Sequence, residues 1–305
     1  MTKKVIVAEN LMKSYGESKV LKGISLSVYK GEVFGFVGHN GAGKSTLIHT
    51  LTGIINKTSG TFHILGTSGD QLNKVKKRIG VMPDITNLYH DMRGINFLKY
   101  MGSIVGDKCT RDEYKNLLHS VGLEDAGMKK IKNYSFGMKK KISIAQALLG
   151  DPEIIFLDEP TSGLDPESAI HIREMITKLQ KSGKTIFLTS HNLDEIERIS
   201  DRVGIISDGV IKKLGTPREL KTETAKGIGI SVRTKPILTA SKTFELSNDL
   251  GMNLTFVDTK KDYALLNVTS DEEIPKLSKG LIESGVQLYE LKVVESTLEE
   301  VFINA

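Results

Sequence analysis

The chain has 305 residues, of which 39% are hydrophobic and 26% charged, a composition typical of a globular protein with one large domain and a smaller one. Its apolar runs are far shorter than the roughly 18 to 20 residues that span a bilayer, and its N-terminus lacks the apolar core of a signal peptide, so we expect neither a membrane span nor a leader. The single cysteine, Cys109, excludes an internal disulfide and indicates the cytosol, and the net charge of +5 is not gathered into a basic tract that would favour nucleic acid.

Up to about residue 220 the sequence alternates predicted strands with predicted helices. Because the runs 33–37 and 154–158 are almost entirely apolar, we predict strands buried on both faces of a mostly parallel sheet, and therefore an α/β core. Helices are predicted from about Lys44 to Gly53, over much of 87–150, and from Asp165, an N-cap before a proline, to Gly183. The other predicted strands are 24–28, 61–66, 79–82, 185–189, 203–206 and 210–214.

The sequence changes character from about residue 221 onward. Strands are predicted over ISVRT, LTFVD, YALLNV and VQLYELKVV, with a helix over EEIPKLSKGLIES and a possible helix between the first two strands. This order is compatible with a small α+β unit of βαββαβ type. We therefore predict two domains, 1–220 and 221–305.

A phosphate-binding loop is predicted between the buried strand ending at Val37 and the helix that follows it. The stretch GHNGAGKST matches the pattern G-x-x-x-x-G-K-[ST] in the strand, loop and helix context that the pattern requires. Three glycines allow the backbone N–H groups to wrap a polyphosphate. Lys44 supplies a cation for the β- and γ-phosphates, and the Ser45 hydroxyl is a ligand for Mg²⁺.

A pair of acidic residues follows the second buried strand. Asp158 and Glu159 come at the carboxyl end of IIFL, and this is the edge of a parallel sheet where ligands bind. Next to a phosphate loop, Asp158 is placed to hold Mg²⁺ and Glu159 to polarise an attacking water. Without the loop, such a pair would more often be a helix cap or a solvated pair.

An amphipathic helix is predicted after YSFG, with Ser135 near its N-cap and an apolar residue every three or four positions from Met138. A serine hydroxyl, the Gly137 amide and the positive end of a helix form a good anion site. Since the phosphate loop already holds a nucleotide, this second site is expected to serve the nucleotide of another copy. The lysines 139–141 are expected to lie on a solvated face of the helix.

Together these motifs resemble the ATP-binding subunits of ABC transporters over about residues 4–220. GHNGAGKST is similar to their Walker A motif, YSFGM to the signature, IIFLDEP to Walker B, SGLD at 162–165 to the D-loop, and His191 in LTSHN to the switch histidine. Tyr15 lies where that family stacks an aromatic ring on adenine. The resemblance implies a P-loop NTPase fold with an antiparallel β subdomain and a helical subdomain at about 87–150.

The resemblance also implies ATP and Mg²⁺ as ligands and assigns roles to residues. Glu159 and His191 would be catalytic, and Ser45 and Asp158 would hold the metal. The signature residues Ser135, Gly137 and Met138 would serve the ATP of a second subunit, and Asp165 would lie in the D-loop. The residues implied in nucleotide binding are Tyr15, Gly38, His39, Asn40, Gly41, Ala42, Gly43, Lys44, Ser45 and Thr46.

The partners implied by the resemblance are a second ATPase subunit, identical or not, in a head-to-tail pair, and a separate integral membrane permease. The C-terminal stretch ESTLEEVFINA resembles the branch of the family that exports antibiotics, peptides, lipids or sodium. We therefore expect an ATP-hydrolysing exporter subunit held at the cytoplasmic face of the membrane by its permease. No nucleic-acid partner is expected.

Three positions depart from the family pattern. His39 replaces a common proline, and Phe136 replaces the first signature glycine; neither changes the phosphate-contacting positions. Asp84 in IGVMPD stands in place of a glutamine that approaches Mg²⁺ and the attacking water. It is either a metal ligand or a residue that faces solvent while its loop works through the backbone.

Two other functions stay open at this point. One is a soluble ATPase of the same family acting on ribosomes or DNA, although such relatives usually carry two ATPase domains or a long coiled-coil insertion. The other is a regulatory subunit that hydrolyses ATP poorly and pairs with a more active partner. Asp84 is the only support for the latter.

Overall fold

The computed structural model of the protein describes residues 3–107, 109–224, 227–294 and 298–303. The chain divides into two compact units, Met1–Pro217 and Arg218–Ala305. The first unit has two sheets and the second has one, and each unit has its own hydrophobic core. The stretch ESTLEEVFINA, which carries the resemblance to exporters, lies partly outside the described residues.

The N-terminal unit alternates strands and helices through most of its length. Its strands are β1 (Lys4–Tyr15), β2 (Ser18–Tyr29), β3 (Val33–Val37), β4 (Ser59–Ile64), β5 (Thr67–Ser68), β6 (Ile79–Val81), β7 (Ile154–Leu157), β8 (Thr185–Ser190), β9 (Arg202–Ser207) and β10 (Val210–Gly215). Its helices are α1 (Lys44–Leu51), α2 (Gly94–Val105), α3 (Arg111–Ser120), α4 (Phe136–Ala147), α5 (Pro166–Lys181) and α6 (Leu193–Ile199), and α7 (Pro217–Thr224) follows them.

Two sheets organise this unit. The first has the order β2-β1-β4-β5 and is antiparallel throughout. The second has the order β10-β9-β3-β8-β7-β6, and its neighbours are parallel except for the β10–β9 pair. The predicted α/β class, with a mostly parallel sheet and an antiparallel β part, is confirmed.

The central strands of the parallel sheet are buried along their whole length. Every residue of β3, β7 and β8 is buried, as their unbroken apolar runs predict for strands covered on both faces. The Phe187 ring lies 5.4 Å from Phe34, 5.8 Å from Phe36 and 5.5 Å from Phe156, measured between ring centroids. These rings bind the three strands together, so their carboxyl ends form a rigid edge.

The three motifs predicted from the sequence follow these central strands. The phosphate loop follows β3, Asp158 follows β7, and His191 follows β8. Since β3 pairs with β8 and β8 with β7 in parallel, the three segments leave the sheet at one edge. The sheet order thus places the phosphate loop, Asp158 and His191 at the same edge.

Helices dominate the stretch between β6 and β7, as predicted. It contains α2, α3 and α4 together with short 3₁₀ turns. Thr110 and Glu113 form a capping box at the start of α3, each side chain accepting a hydrogen bond from the other residue's backbone N–H. Among the helices of the described ranges, none combines the length and apolar character needed to cross a bilayer.

The C-terminal unit follows the predicted βαββαβ order. Its strands are β11 (Ile228–Lys235), β12 (Thr255–Lys260), β13 (Tyr263–Val268) and β14 (Gln287–Val294), and its helices are α8 (Ala240–Asp249), α9 (Glu273–Glu283) and α10 (Leu298–Ile303). The sheet has the order β12-β13-β11-β14, with every neighbouring pair antiparallel. Alternate residues of β11 and β13 are buried in a core that includes Leu277 and Leu281 of α9.

Candidate functional site

The phosphate loop requires glycine at several of its positions. Gly41 and Gly43 have φ values of 84° and 109°, in the left-handed region that favours glycine. A Cβ atom on Gly38 would lie 2.4 Å from the backbone oxygen of Ile206. His39 and Asn40 lie exposed between these glycines, at the point where the backbone turns towards α1.

Lys44, the first residue of α1, is buried inside the loop that precedes it. Its side chain is 6% exposed, and its Nζ donates hydrogen bonds to the carbonyl oxygens of Gly38, at 2.8 Å, and His39, at 3.3 Å. The same Nζ lies 3.3 Å from Glu159 Oε1. The ammonium group is therefore held at the junction between the loop and the end of β7.

The two acidic residues after β7 are anchored by a threonine of the neighbouring strand. The Thr189 hydroxyl donates a hydrogen bond to Asp158, and the Glu159 N–H donates to Thr189 Oγ1 at 3.0 Å. Glu159 has a φ of 48°, a conformation that costs a non-glycine residue about 1–2 kcal/mol. Sequence reasoning missed Thr189, although a polar residue inside the buried run TIFLTS was a signal.

The Glu159 carboxylate lies between two predicted site residues. Its Oε2 is 2.8 Å from His191 Nδ1, and its Oε1 is the atom near Lys44. Glu159 is only 22% exposed, whereas the His191 side chain is 49% exposed. Residues separated by more than a hundred positions in the sequence thus meet around one carboxylate.

A cavity of about 790 Å³ opens beside this cluster. The predicted metal ligands Ser45, Asp158 and Asp84 all line it, and so does Glu159. Thr46, the next residue of α1, is half-buried and its backbone oxygen accepts a hydrogen bond from the Thr50 hydroxyl. Apolar side chains form much of the lining, but the hydroxyl of Ser45 and the carboxylates of Asp158 and Asp84 are of the kind that Mg²⁺ prefers as ligands.

Asp84 caps a short 3₁₀ turn at the wall of this cavity. Its Oδ1 accepts hydrogen bonds from the backbone N–H and the hydroxyl of Thr86, both at 2.9 Å. The backbone hydrogen bond from Thr86, followed by the hydroxyl and the charge of Lys140, lowers the pKa of Asp84 below its usual value. The residue is exposed yet borders the cavity, so the structure combines features of both alternatives predicted for it.

Lys140 contradicts the prediction of a solvated lysine face on α4. Lys139 and Lys141 are half-buried, but Lys140 is 8% exposed and its Nζ donates a hydrogen bond to the Glu159 carbonyl oxygen at 2.6 Å. Burial lowers the pKa of Lys140, and the neighbouring carboxylates, Glu159 first, oppose that shift. The prediction was wrong because Lys140 shares the buried helix face of Gly137 and Ile144, a spacing the sequence shows.

The signature residues lie at the start of α4. Ser135 is the predicted N-cap, and its Oγ accepts a hydrogen bond from the Met138 N–H at 3.2 Å. Gly137 is buried, and Phe136 between them is 47% exposed. None of these is among the described residues that line the cavity beside Glu159, whereas Lys140, about one turn further along α4, does line it.

The remaining predicted residues lie outside the cluster. Asp165 is the N-cap of α5, as predicted, and accepts a hydrogen bond from the Ser168 N–H at 2.9 Å, which lowers the pKa of its carboxyl group. Tyr15, at the end of β1, is 50% exposed, with Lys13 Nζ 4.8 Å from its ring centroid. The exposed part of the ring is an aromatic surface of the kind that stacks on a flat base.

The chain is similar to known proteins in sequence and in fold. The family model of the ABC transporter matches residues 21–162 of the chain. The linearmycin resistance ATP-binding protein LnrL of Bacillus subtilis is 34% identical, over 98% of this chain and 97% of that protein. The chain belongs to the ATP-binding proteins of ABC transporters. The bacitracin transport ATP-binding protein BcrA of Bacillus licheniformis is 31% identical to this ABC ATPase, over 98% of the chain and 96% of that protein.

Solved structures of ABC ATPases have the same fold as the N-terminal unit. One is cbiO1 of Clostridium perfringens, part of the ABC transporter complex cbiONQ, with a TM-score of 0.64 and 30% identity over 72% of this chain and 91% of that one. The protein therefore binds ATP and hydrolyses it, as the motifs predicted. The roles of individual residues in that reaction stay predictions.

Proposed function

We propose that this ABC ATPase drives export of an antibiotic, peptide, lipid or ion through a separate integral membrane permease. The observation that carries the catalytic part is the Glu159 carboxylate held between Lys44 and His191 at the edge of the sheet. Export is supported by LnrL and BcrA, whose names state resistance and transport and which the chain matches almost end to end. The permease would hold the protein at the cytoplasmic face of the membrane.

In this proposal the phosphate loop binds the nucleotide, and Glu159 with His191 orients the attacking water. The backbone N–H groups of the loop and the Lys44 ammonium bind the β- and γ-phosphates. Glu159 accepts a hydrogen bond from the attacking water and orients it towards the γ-phosphorus, with His191 fixing the carboxylate through the bond to Oε2. Tyr15 stacks on the adenine ring.

Mg²⁺ fits the oxygen atoms that line the cavity. Ser45 and Asp158 would hold it, with Asp84 as a third ligand through Oδ2, since Oδ1 is bonded to Thr86. The ion would neutralise charge on the β- and γ-phosphates. The protein's own part is to keep Asp158 in place through the Thr189 hydroxyl.

A second subunit completes the site in this proposal. The N-terminus of α4, a helix of 12 residues, carries the partial positive charge that binds phosphate, and Ser135 is exposed there. Since Ser135, Gly137 and Met138 lie away from the chain's own cavity, they would contact the γ-phosphate of a partner. The pair would be head-to-tail and either homomeric or heteromeric.

The export proposal is tested by expressing the protein with the membrane protein encoded beside it. Proteoliposomes that contain both are expected to take up a candidate antibiotic only with ATP outside, where the ATPase faces. The Lys44→Ala protein serves as the inactive control. Purification of the chain with ribosomes or DNA, and no uptake with the permease, would contradict export.

Lys44→Ala is expected to raise the Kd for ATP about 10- to 100-fold. The substitution removes a cation that makes charge-assisted bonds worth about 1.5–3 kcal/mol. Fluorescence titration with a labelled ATP analogue measures this Kd. Lys57→Ala removes a lysine of the same unit that pairs with Asp70 at the surface, 2.9 Å away, and should leave the Kd unchanged. Equal Kd values for Lys44→Ala and the parent would contradict the assignment.

The second expectation concerns Asp84 and the metal. Asp84→Asn keeps an oxygen that accepts the Thr86 bonds but loses the charge, and Asp84→Ala loses both. If the carboxylate binds Mg²⁺, both variants should need about tenfold more free Mg²⁺ for half-maximal ATPase rate, because a ligand charge is lost. The measurement is the rate against free Mg²⁺. Superimposable curves would show that Asp84 serves only to cap the turn.

A further inference from the structure

Lys140 connects the signature helix to the catalytic edge of the same chain. It is in the second turn of α4 and is the one member of the lysine run 139–141 that is buried. Its Nζ donates a 2.6 Å hydrogen bond to the Glu159 carbonyl oxygen and lines the same cavity as Asp84 and Asp158. Burial of an ammonium group is costly unless it is paired, and Lys140 has a carbonyl acceptor and the nearby negative charges of Glu159, Asp158 and Asp84.

The contact falls on a non-glycine residue whose backbone lies in the left-handed region. Glu159 has a φ of 48°, and both of its peptide groups are held by side chains from other elements. Thr189 of β8 accepts from its N–H at 3.0 Å, and Lys140 of α4 donates to its carbonyl. These two bonds fix the backbone from which the carboxylate reaches Lys44 and His191.

We propose that Lys140 is a positioning residue that holds the Glu159 backbone, and so its carboxylate, in the orientation needed for hydrolysis. The proposal rests on the proposed role of Glu159 in orienting water. It also gives α4 two roles: Ser135 at its N-terminus would contact the partner's phosphate, and Lys140 holds Glu159 of its own chain. The two residues lie about 7.5 Å apart along the helix axis.

The test compares Lys140→Met with Lys139→Met in the full chain, with its permease. Methionine keeps much of the apolar length of lysine and removes the donor and the charge. Lys140→Met is expected to lower kcat about 10- to 100-fold, because misplacement of a catalytic group by about 1 Å has effects of this size. The Kd for ATP should change less than twofold. Lys139→Met, on the half-buried side of the same helix, should retain the parental kcat.

Two further variants distinguish a role of Lys140 in positioning Glu159 from a role in the stability of the fold. Lys140→Arg keeps a cationic donor and should restore kcat to within about threefold of the parent, whereas Lys140→Gln should not, because the shorter amide reaches less far and carries no charge. These two variants carry the test if Lys140→Met fails to fold. In a Glu159→Gln background, Lys140→Met should cause no further loss, since residues that act through one group are not additive.

The outcomes distinguish this inference from the proposed function. Parental kcat in both Lys140→Met and Lys140→Gln would overturn the positioning role, even if Glu159→Gln still lowered kcat as expected. A further loss in the Glu159→Gln background equal to that in the parent would also overturn it, because Lys140 would then act independently of Glu159. If Glu159→Gln hydrolyses ATP at the parental rate, the proposed role of Glu159 fails first.

Discussion

Replacing Glu159 with glutamine is expected to lower the rate of ATP hydrolysis about 10²- to 10⁴-fold while leaving ATP binding intact. The amide has the same size as the carboxylate, but it cannot accept a proton from water. It also loses the ion pair with Lys44, whose Nζ lies 3.3 Å from Oε1. Because the lysine is then free for phosphate, the affinity for ATP should stay equal or increase.

The variant should accumulate as an ATP-bound dimer. We expect ATP binding to close the head-to-tail pair and hydrolysis to reopen it, so blocking hydrolysis should trap the closed, ATP-bound dimer. Size-exclusion chromatography with and without ATP measures the dimer, and phosphate release measures the rate. Glu153→Gln is the matched control, because Glu153 is a half-exposed glutamate before β7 that pairs with Arg78 rather than with the site. A parental rate for Glu159→Gln would overturn the assignment of the base.

The individual motifs of this site could be predicted because each depends on residues close together in the sequence. Gly41 and Gly43 predict a turn in the phosphate loop, and both have the positive φ values that such a turn requires. Ser135 and Asp165 predict where helices begin, and both are N-caps in the structure. The two continuous apolar runs, 33–37 and 154–158, predicted a parallel sheet. The motifs that follow these strands lie at its carboxyl edge.

Contacts between distant segments could not be predicted in the same way. Strand β1 was missed because its alternation is broken near Asn10, where φ is 47° and the register with β2 shifts. Helix α6 was missed because it has 7 residues and is mostly polar, with its start fixed by the Asn192 cap. The bonds of Thr189 and Lys140 to Glu159 join three elements, and only the folded chain shows them.

The largest effect expected for the pair comes from mixing two defective subunits. Ser135→Arg removes the N-cap of α4 and places a bulky side chain where the partner's phosphate is proposed to bind, and Lys44→Ala weakens the phosphate loop. In a head-to-tail dimer, one of each gives one site built from an intact loop and an intact signature, and one site defective in both. Each parent dimer has two defective sites, so neither should retain ATP.

The measurement is the amount of ATP trapped after gel filtration, with Glu159→Gln present in every subunit so that no ATP is consumed. Equal mixing gives mixed dimers in about half of the pairs, so about one ATP should be trapped for every four chains. This readout needs only one closed site and does not depend on turnover at both. Ser135→Asn keeps a good N-cap residue and adds far less bulk than arginine, so it should trap ATP by itself. Trapping by this variant would show that the arginine acts by blocking the phosphate site. If Ser135 served the ATP of its own chain, the mixture would trap no more nucleotide than its two parents, because every chain would still carry one defect in its own site.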